Sequence, residues 1–192
     1  MGTSAKVLAP ADVRRLEAFA KRGRLPARNQ VIIKLSFMAG LRACEIAGLD
    51  WSMVVNARQS IGDAVVVSDG IAKNGRGRRV PMHPKLRKAL SILHFTHGRP
   101  IEGPVVQSQR GGHMTPRSVV NWFKIHYQAL GLNGCSSHSG RRTFITRSAR
   151  LVSKVGGSLR DVQELAGHSS LTTTERYIEG DRDAQRKLVG LL

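Results

Sequence analysis

Apolar residues recur through most of this chain at intervals of three and four, the spacing that gives a helix one buried face. Ala9-Pro10 opens a first helix with Val13, Leu16 and Phe19 turned inward, proline being suited to a first turn where its missing N–H is no loss. A second helix is predicted from about Pro26 to Ala39 with Gly40 as its C-terminal cap, and a short third carries Glu45, Ile46 and Leu49. Beyond residue 83 the pattern predicts helices over about Pro84 to His97, Pro116 to Leu130 after a Thr115 cap, Ser137 to Ser153, and Ser158 to Ala166. Gly167 caps the last of these. Thr172 with Glu175 matches an S/T-x-x-E box, which predicts His168 in a turn and Tyr177 on the helix that follows. At the end of the chain Ala184, Leu188, Leu191 and Leu192 fall on one helical face.

Period-two patterning is confined to one region. Met53 to Val55, Ala64 to Val67 and Arg79 to Met82 read as short strands, with Asn74-Gly75 supplying turn chemistry before the last. The expected fold class is therefore α+β and mostly helical, with helices packed on a small three-stranded antiparallel sheet. At 192 residues the chain is long enough for one domain with a real core, behind a loose start over residues 1–8.

Charge narrows the partners. The formal net charge is +18, and its distribution is uneven: residues 70–160 carry seventeen Lys/Arg against the single acid Glu102, while residues 161–192 carry four against six. The basic stretch also contains Val80, Leu86, Leu90, Val105, Val119, Trp122, Phe123 and Ile145 at core-like spacings, so it is a folded basic face and not a disordered arm. Such a face suits a polyanion, and on duplex DNA its binding would weaken with salt by a log-log slope of roughly −0.9 per contacted phosphate. The two cysteines, Cys44 and Cys135, form no disulfide framework or metal-binding pair, which fits a reducing cytoplasm. Nothing resembles a secretory signal or approaches the ~20 apolar residues that span a bilayer, so no membrane partner is expected.

The chemistry is concentrated in a few polar residues. Tyr177 stands nine residues after His168, and upstream lie His138-x-x-Arg141 and Gly40-Leu-Arg42. A phenol of pKa ~10 is about a thousandth ionised at neutral pH, a deficit of roughly 4 kcal/mol that a nearby base or cationic field must offset. His138 and His168 are the neighbours suited to that task. Arg42 and Arg141 can each present paired donors to the non-bridging oxygens of a phosphate, a geometry lysine lacks. Glu45, three residues beyond Arg42, lies on the same helical face and can orient it. No third His or Cys stands at ligand spacing and no carboxylate cluster lies in the basic region, which argues against a bound metal and against a two-metal nuclease. Tyr127, beside His126, reads as structural.

Four segments together resemble the tyrosine recombinase, or phage integrase, family. Ala39-Gly-Leu-Arg-Ala-Cys-Glu-Ile-Ala-Gly-Leu49 is similar to its first arginine motif and Ala72-Lys-Asn-Gly-Arg-Gly-Arg-Arg-Val-Pro81 to its lysine hairpin. His138-Ser-Gly-Arg-Arg-Thr-Phe144 resembles its second box and Gly167-His-Ser-Ser-Leu-Thr-Thr-Thr-Glu-Arg-Tyr177 its third. The resemblance implies that Tyr177 attacks a DNA phosphate to leave a 3′-phosphotyrosyl link and a free 5′-hydroxyl, with the bond energy kept and no cofactor required. It implies Lys73 as general acid toward the departing 5′-oxygen, on a hairpin whose Arg76, Arg78 and Arg79 would clamp DNA backbone together with Arg117, Lys124 and Arg142. It also implies a homo-oligomer on double-stranded DNA, a tetrameric synapse, in which residues 181–192 can pack on a neighbour. A type IB topoisomerase would share these residues, and a non-catalytic DNA-binding protein would need only the basic face.

The chain departs from the pattern in two places. Gly140 stands where the family usually has leucine, which predicts a looser seat for Arg141. Only 41 residues precede Arg42, too few for the family's separate helical DNA-clamping domain. One catalytic domain over residues 1–192 is expected, either a single-domain recombinase like the fimbrial-switch invertases or a fragment.

Overall fold

The computed structural model describes residues 5–73, 75–178 and 189–190. Its helices are α1 (Pro10–Lys21), α2 (Pro26–Met38), α3 (Ala43–Gly48), α4 (Pro84–Thr96), α5 (Pro116–Ala129), α6 (Ser139–Leu151), α7 (Leu159–Ala166) and α8 (Leu171–Glu175). Two 3-10 turns cover Trp51–Met53 and Val152–Val155, and strands β1 (Ala64–Val67) and β2 (Arg78–Pro81) form the sheet. Proline opens α1, α2, α4 and α5, where its fixed φ suits the first turn. No helix among the described residues is long and apolar enough to cross a membrane.

α2 is the axis of the molecule. Val31, Ile32, Ile33 and Leu35 are all fully enclosed, so this helix is buried on several sides instead of along one stripe. It packs against α1, α4 and α6. α5 brings Val119, Phe123 and Tyr127 into the same core, which continues through Trp51 and Leu86. A second, smaller cluster of Ile145, Val162 and Ala166 joins α6 to α7, with Phe144 and Tyr177 packed on its edge.

The sheet has two strands, not three. β1 and β2 pair antiparallel with Ala64 opposite Pro81 and Val67 opposite Arg78. The segment Met53–Val55 does not join them, because Asp50 caps a tight turn there: its carboxylate accepts from the Ser52 N–H at 2.9 Å and from the Ser52 hydroxyl at 2.8 Å. A side chain that captures local backbone donors competes with a ladder, and only an isolated bridge from Val55 to Ile61 remains. β2 also begins one residue earlier than its apolar pattern suggested. Asn74 of the predicted Asn74-Gly75 turn lies outside the described residues, while Gly75 has the positive φ expected of it, +60°. Ala184, Leu188, Leu191 and Leu192 likewise lie outside them.

Gly140 tightens the structure. It sits where α6 crosses α2, and an added Cβ there would run into the side chains of Ser36 and Phe37. The expectation of a looser Arg141 is thus corrected, since the missing side chain lets the two helices approach and encloses the arginine to 3% exposure. Gly140→Leu, which restores the usual family residue, is predicted to lower the free energy of unfolding by about 1–3 kcal/mol through overpacking, as measured by urea denaturation.

Candidate active site

The site is built around a buried acid. Arg42 occupies the N-cap position of α3, and Glu45 one turn later folds back on it, accepting from the Arg42 N–H and from Arg42 Nη1, each at 2.8 Å. Glu45 is fully buried. From β2, Arg78 donates Nη1 to Glu45 Oε1 and Nη2 to Oε2, both at 2.9 Å. Burial alone would raise the Glu45 carboxyl, but the hydrogen bonds and charge of Arg78, followed by those of Arg42, prevail and hold it at about 2.

Arg141, on the first turn of α6, is paired directly with no acid among the described residues, although Glu45 lies near enough for its charge to act on it. It donates Nη1 to the Gly40 carbonyl at 2.7 Å and Nη2 to the Ala166 carbonyl at 2.6 Å. Burial first, then the charges of Arg42 and Arg78, lower its pKa to about 10, so it stays charged at neutral pH. Gly40 must take φ +64°, and its Cα lies against the Phe144 ring, which fixes the carbonyl that receives Arg141.

His168 enters on the turn after α7, where Gly167 adopts the left-handed cap conformation at φ +62°. The His168 N–H bonds to the Gln163 carbonyl at 3.1 Å, and Gln163 Nε2 returns a bond to the His168 carbonyl at 3.0 Å. Its Nδ1 lies 3.0 Å from Oγ1 of the buried Thr174. Burial, then Arg141, Arg42 and Arg78, depress the ring to about 4. His168 is therefore neutral over the physiological range.

Tyr177 stacks on that ring, with centroids 5.4 Å apart and planes at 26°. It lies in a turn just beyond α8, not on the helix. α8 starts at Leu171 with Ser170 as its N-cap, so the predicted Thr172–Glu175 box falls inside it. Thr174 lies within α8 and meets His168, and the Tyr177 carbonyl is taken by Thr146 Oγ1 of α6 at 3.2 Å. The Arg142 guanidinium lies 5.6 Å from the Tyr177 ring centroid. Lys6, Arg142, Arg150 and Tyr177 line a cleft of about 330 Å³.

Two further residues stand at the mouth of the site. His138, exposed at the N-cap of α6, is lowered by partial burial and then by Arg141, Lys73 and Arg42. Lys73 is exposed on the turn between β1 and β2, near enough for its charge to act on His138. Eight polar residues, Arg42, Glu45, Lys73, Arg78, His138, Arg141, His168 and Tyr177, thus come together from four separate stretches of sequence.

The whole chain fits known proteins accordingly. The model of the Phage integrase family matches residues 6–183. The chain belongs to the phage integrase family. The tyrosine recombinase XerC of Bradyrhizobium diazoefficiens is 35% identical over 180 residues, covering 91% of this chain and 52% of that protein. XerC of Myxococcus xanthus is 31% identical over 81% of this chain and 51% of its own. The chain spans about half the length of these relatives. Among solved structures, the Tn1549 transposon integrase in complex with transposon right end DNA superposes with a TM-score of 0.77 at 18% identity, covering 100% of this chain and 67% of that one. The XerA recombinase gives 0.73 at 21% identity, over 100% of this chain and 66% of that one. These two support the integrase fold alone.

The basic residues predicted to clamp DNA divide into two kinds. Arg76, Arg117 and Lys124 are exposed, Arg142 is half-buried beside Tyr177, and Arg79 is exposed but paired with Asp63 across the sheet. Arg78 differs. Its side chain is 6% exposed and its donors are committed to Glu45 and to the Leu165 carbonyl, so the expectation of a backbone clamp is corrected. Its neighbour Val80 gave the signal, since residues two apart in a strand share a face and Val80 is buried. Thr174 and Gln163, which seat His168, carried no comparable signal in the sequence.

Because its charged form is opposed by burial and three guanidiniums, His168 in the DNA-free protein is predicted to remain neutral as pH falls through 6 and to gain its proton only near pH 4. Histidine NMR titration checks this, and a midpoint near the ordinary 6.5 would contradict it.

Proposed function

We propose that this chain is the catalytic domain of a tyrosine-type site-specific recombinase, which breaks and rejoins double-stranded DNA through a 3′-phosphotyrosyl intermediate in integration, excision or inversion. The observation that carries the reading is the stacking of Tyr177 on a neutral His168 beside the enclosed guanidinium of Arg141. Family membership and the names of the relatives support it.

In the forward step the Tyr177 Oη–phosphorus bond forms as the phosphorus–O5′ bond breaks. The phenolic proton passes to His168 or His138, both held below the ordinary histidine range and so unprotonated at neutral pH. Arg42 and Arg141 receive the non-bridging oxygens and counter the charge that accumulates on them. Lys73, on its hairpin, gives a proton to the departing O5′. Attack by a 5′-hydroxyl reverses each transfer and reseals the strand, with no cofactor consumed. Glu45 holds Arg42 in place without touching the DNA. Arg76, Arg117, Lys124 and Arg142 are the remaining phosphate contacts, and the working form is a homo-oligomer, a tetrameric synapse, on cytoplasmic, nucleoid DNA.

Covalent capture tests the reading. A library of nicked, randomised duplexes, in which the cleaved end diffuses away, is incubated with the protein and resolved under denaturing conditions. The wild type is expected to accumulate a protein–DNA adduct and Tyr177→Phe none; an adduct with the phenylalanine variant, or none with the wild type, sinks the proposal. Arg42→Ala and Arg141→Ala are expected to slow capture by about 10²–10³-fold while leaving most of the DNA affinity, and equal losses in both would refute their role.

A further inference from the structure

Three arginines crowd the β1–β2 hairpin, yet only one turns inward. Arg78 spends two donors on Glu45 at 2.9 Å and a third, Nε, on the Leu165 carbonyl at 3.0 Å. These partners are 33 and 87 residues away. One side chain therefore ties the hairpin to α3 and to the end of α7. The next carbonyl, that of Ala166, receives Arg141, and His168 follows two residues later. The seat is closely fitted: a Cβ on Gly167 would come within 2.9 Å of Arg78 Cδ and 3.2 Å of its Nη1.

On the other side, Arg78 is the first residue of β2, and Lys73 lies five residues before it on the exposed turn. Between them the Gly77 N–H reaches only back into the hairpin, to Asp69 Oδ1 at 2.6 Å. The root of the lysine turn is thus aimed at the rest of the site by the Arg78 guanidinium. A lysine at this position would supply charge to Glu45 but could not bond both carboxylate oxygens and a carbonyl in one plane.

We propose that Arg78 is a positioning residue for the leaving-group step: it couples the hairpin bearing Lys73 to the phosphate-holding arginine pair through Glu45 and Leu165. The inference rests on the recombinase reading above and on Lys73 as the acid that protonates O5′.

A bridging sulfur in place of O5′ separates this role from a merely structural one. When the phosphorus–sulfur bond breaks, the leaving group is a thiolate whose conjugate acid has a pKa of about 8.5, so no proton need be supplied. Single-turnover cleavage is measured on the captured duplex with bridging oxygen or sulfur, for the wild type, Lys73→Ala, Arg78→Lys, Arg78→Gln and Tyr177→Phe. Arg78→Lys and Arg78→Gln are expected to lose about 10²-fold or more on the oxygen substrate, and to recover to within about tenfold of wild type on the sulfur substrate. DNA affinity by gel shift should stay at the wild-type value. An equal loss on both substrates, no loss on either, or failure of both variants to fold would overturn the proposal. An adduct with Tyr177→Phe would instead overturn the site itself, and a Lys73→Ala variant that sulfur does not rescue would remove the acid on which Arg78 is argued to act.

Discussion

A carboxylate with no solvent around it dictates the arrangement of this protein. Glu45 can be buried in its charged form only because Arg42 and Arg78 occupy both of its oxygens. Removing one partner of such a group typically destabilises a protein by about 3–5 kcal/mol, because the remaining charges are left in a medium that solvates them poorly. The fold therefore has to bring α3 and β2 together, and Arg78 extends that requirement to α7. Among the described residues three guanidiniums, Arg42, Arg78 and Arg141, gather around one acid, which leaves two positive charges uncompensated there. Arg141 is held by the carbonyls of Gly40 and Ala166, which orient it without neutralising it. An anion entering here meets charge that is already fixed in place, the condition under which electrostatic stabilisation of a phosphoryl transition state is most effective.

The same field shapes the rest of the site. His168 is kept neutral by burial and by these cations, so the charge that would repel further cations is absent and its ring is free to stack on Tyr177. Tyr177 is half-buried at the edge of the smaller apolar cluster of Ile145, Val162 and Ala166, whereas Arg141 and the Arg78 side chain are only 3% and 6% exposed. The cations are thus held by extensive burial and the phenol by far less. Shallower burial is a physical basis for easier local opening, which suits the part proposed for Tyr177, a residue that bonds to phosphorus and is then released.

Much of this was legible in the sequence, and the failures have particular causes. The helices were readable because proline starts and glycine stops flank apolar repeats, as at Pro26 and Gly40. Arg42, Arg141, His168 and Tyr177 stood out because their residue types are chemically costly to place together without a use. The third strand was misread because Asp50 draws the backbone of Ser52 into a turn, a competition that apolar content does not reveal. Tyr177 left its helix because the chain tightens there into i→i−3 bonds, the Tyr177 N–H to the Thr174 carbonyl at 3.0 Å and the Ile178 N–H to the Glu175 carbonyl at 2.9 Å. Gly140 was read as a loosening, since the approach of Ser36 and Phe37 belongs to a helix a hundred residues earlier. Arg78 was grouped with its neighbours because only the strand's facing, through Val80, distinguishes it from Arg76 and Arg79.

The most direct test of the buried carboxylate is the pH dependence of stability in the wild type and in Glu45→Gln. With a folded pKa near 2 and an unfolded value near 4.3, the ionised Glu45 contributes stability that is fully present above about pH 5 and is lost as pH falls through 2. At pH 7 the glutamine variant should be less stable by about 3–5 kcal/mol, and the gap should narrow by about 2 kcal/mol by pH 3, because the unfolded chain takes up its proton on Glu45 below about pH 4.3 while the folded carboxylate stays charged until about pH 2. A gap that is small at pH 7, or that stays constant down to pH 3, would contradict the account.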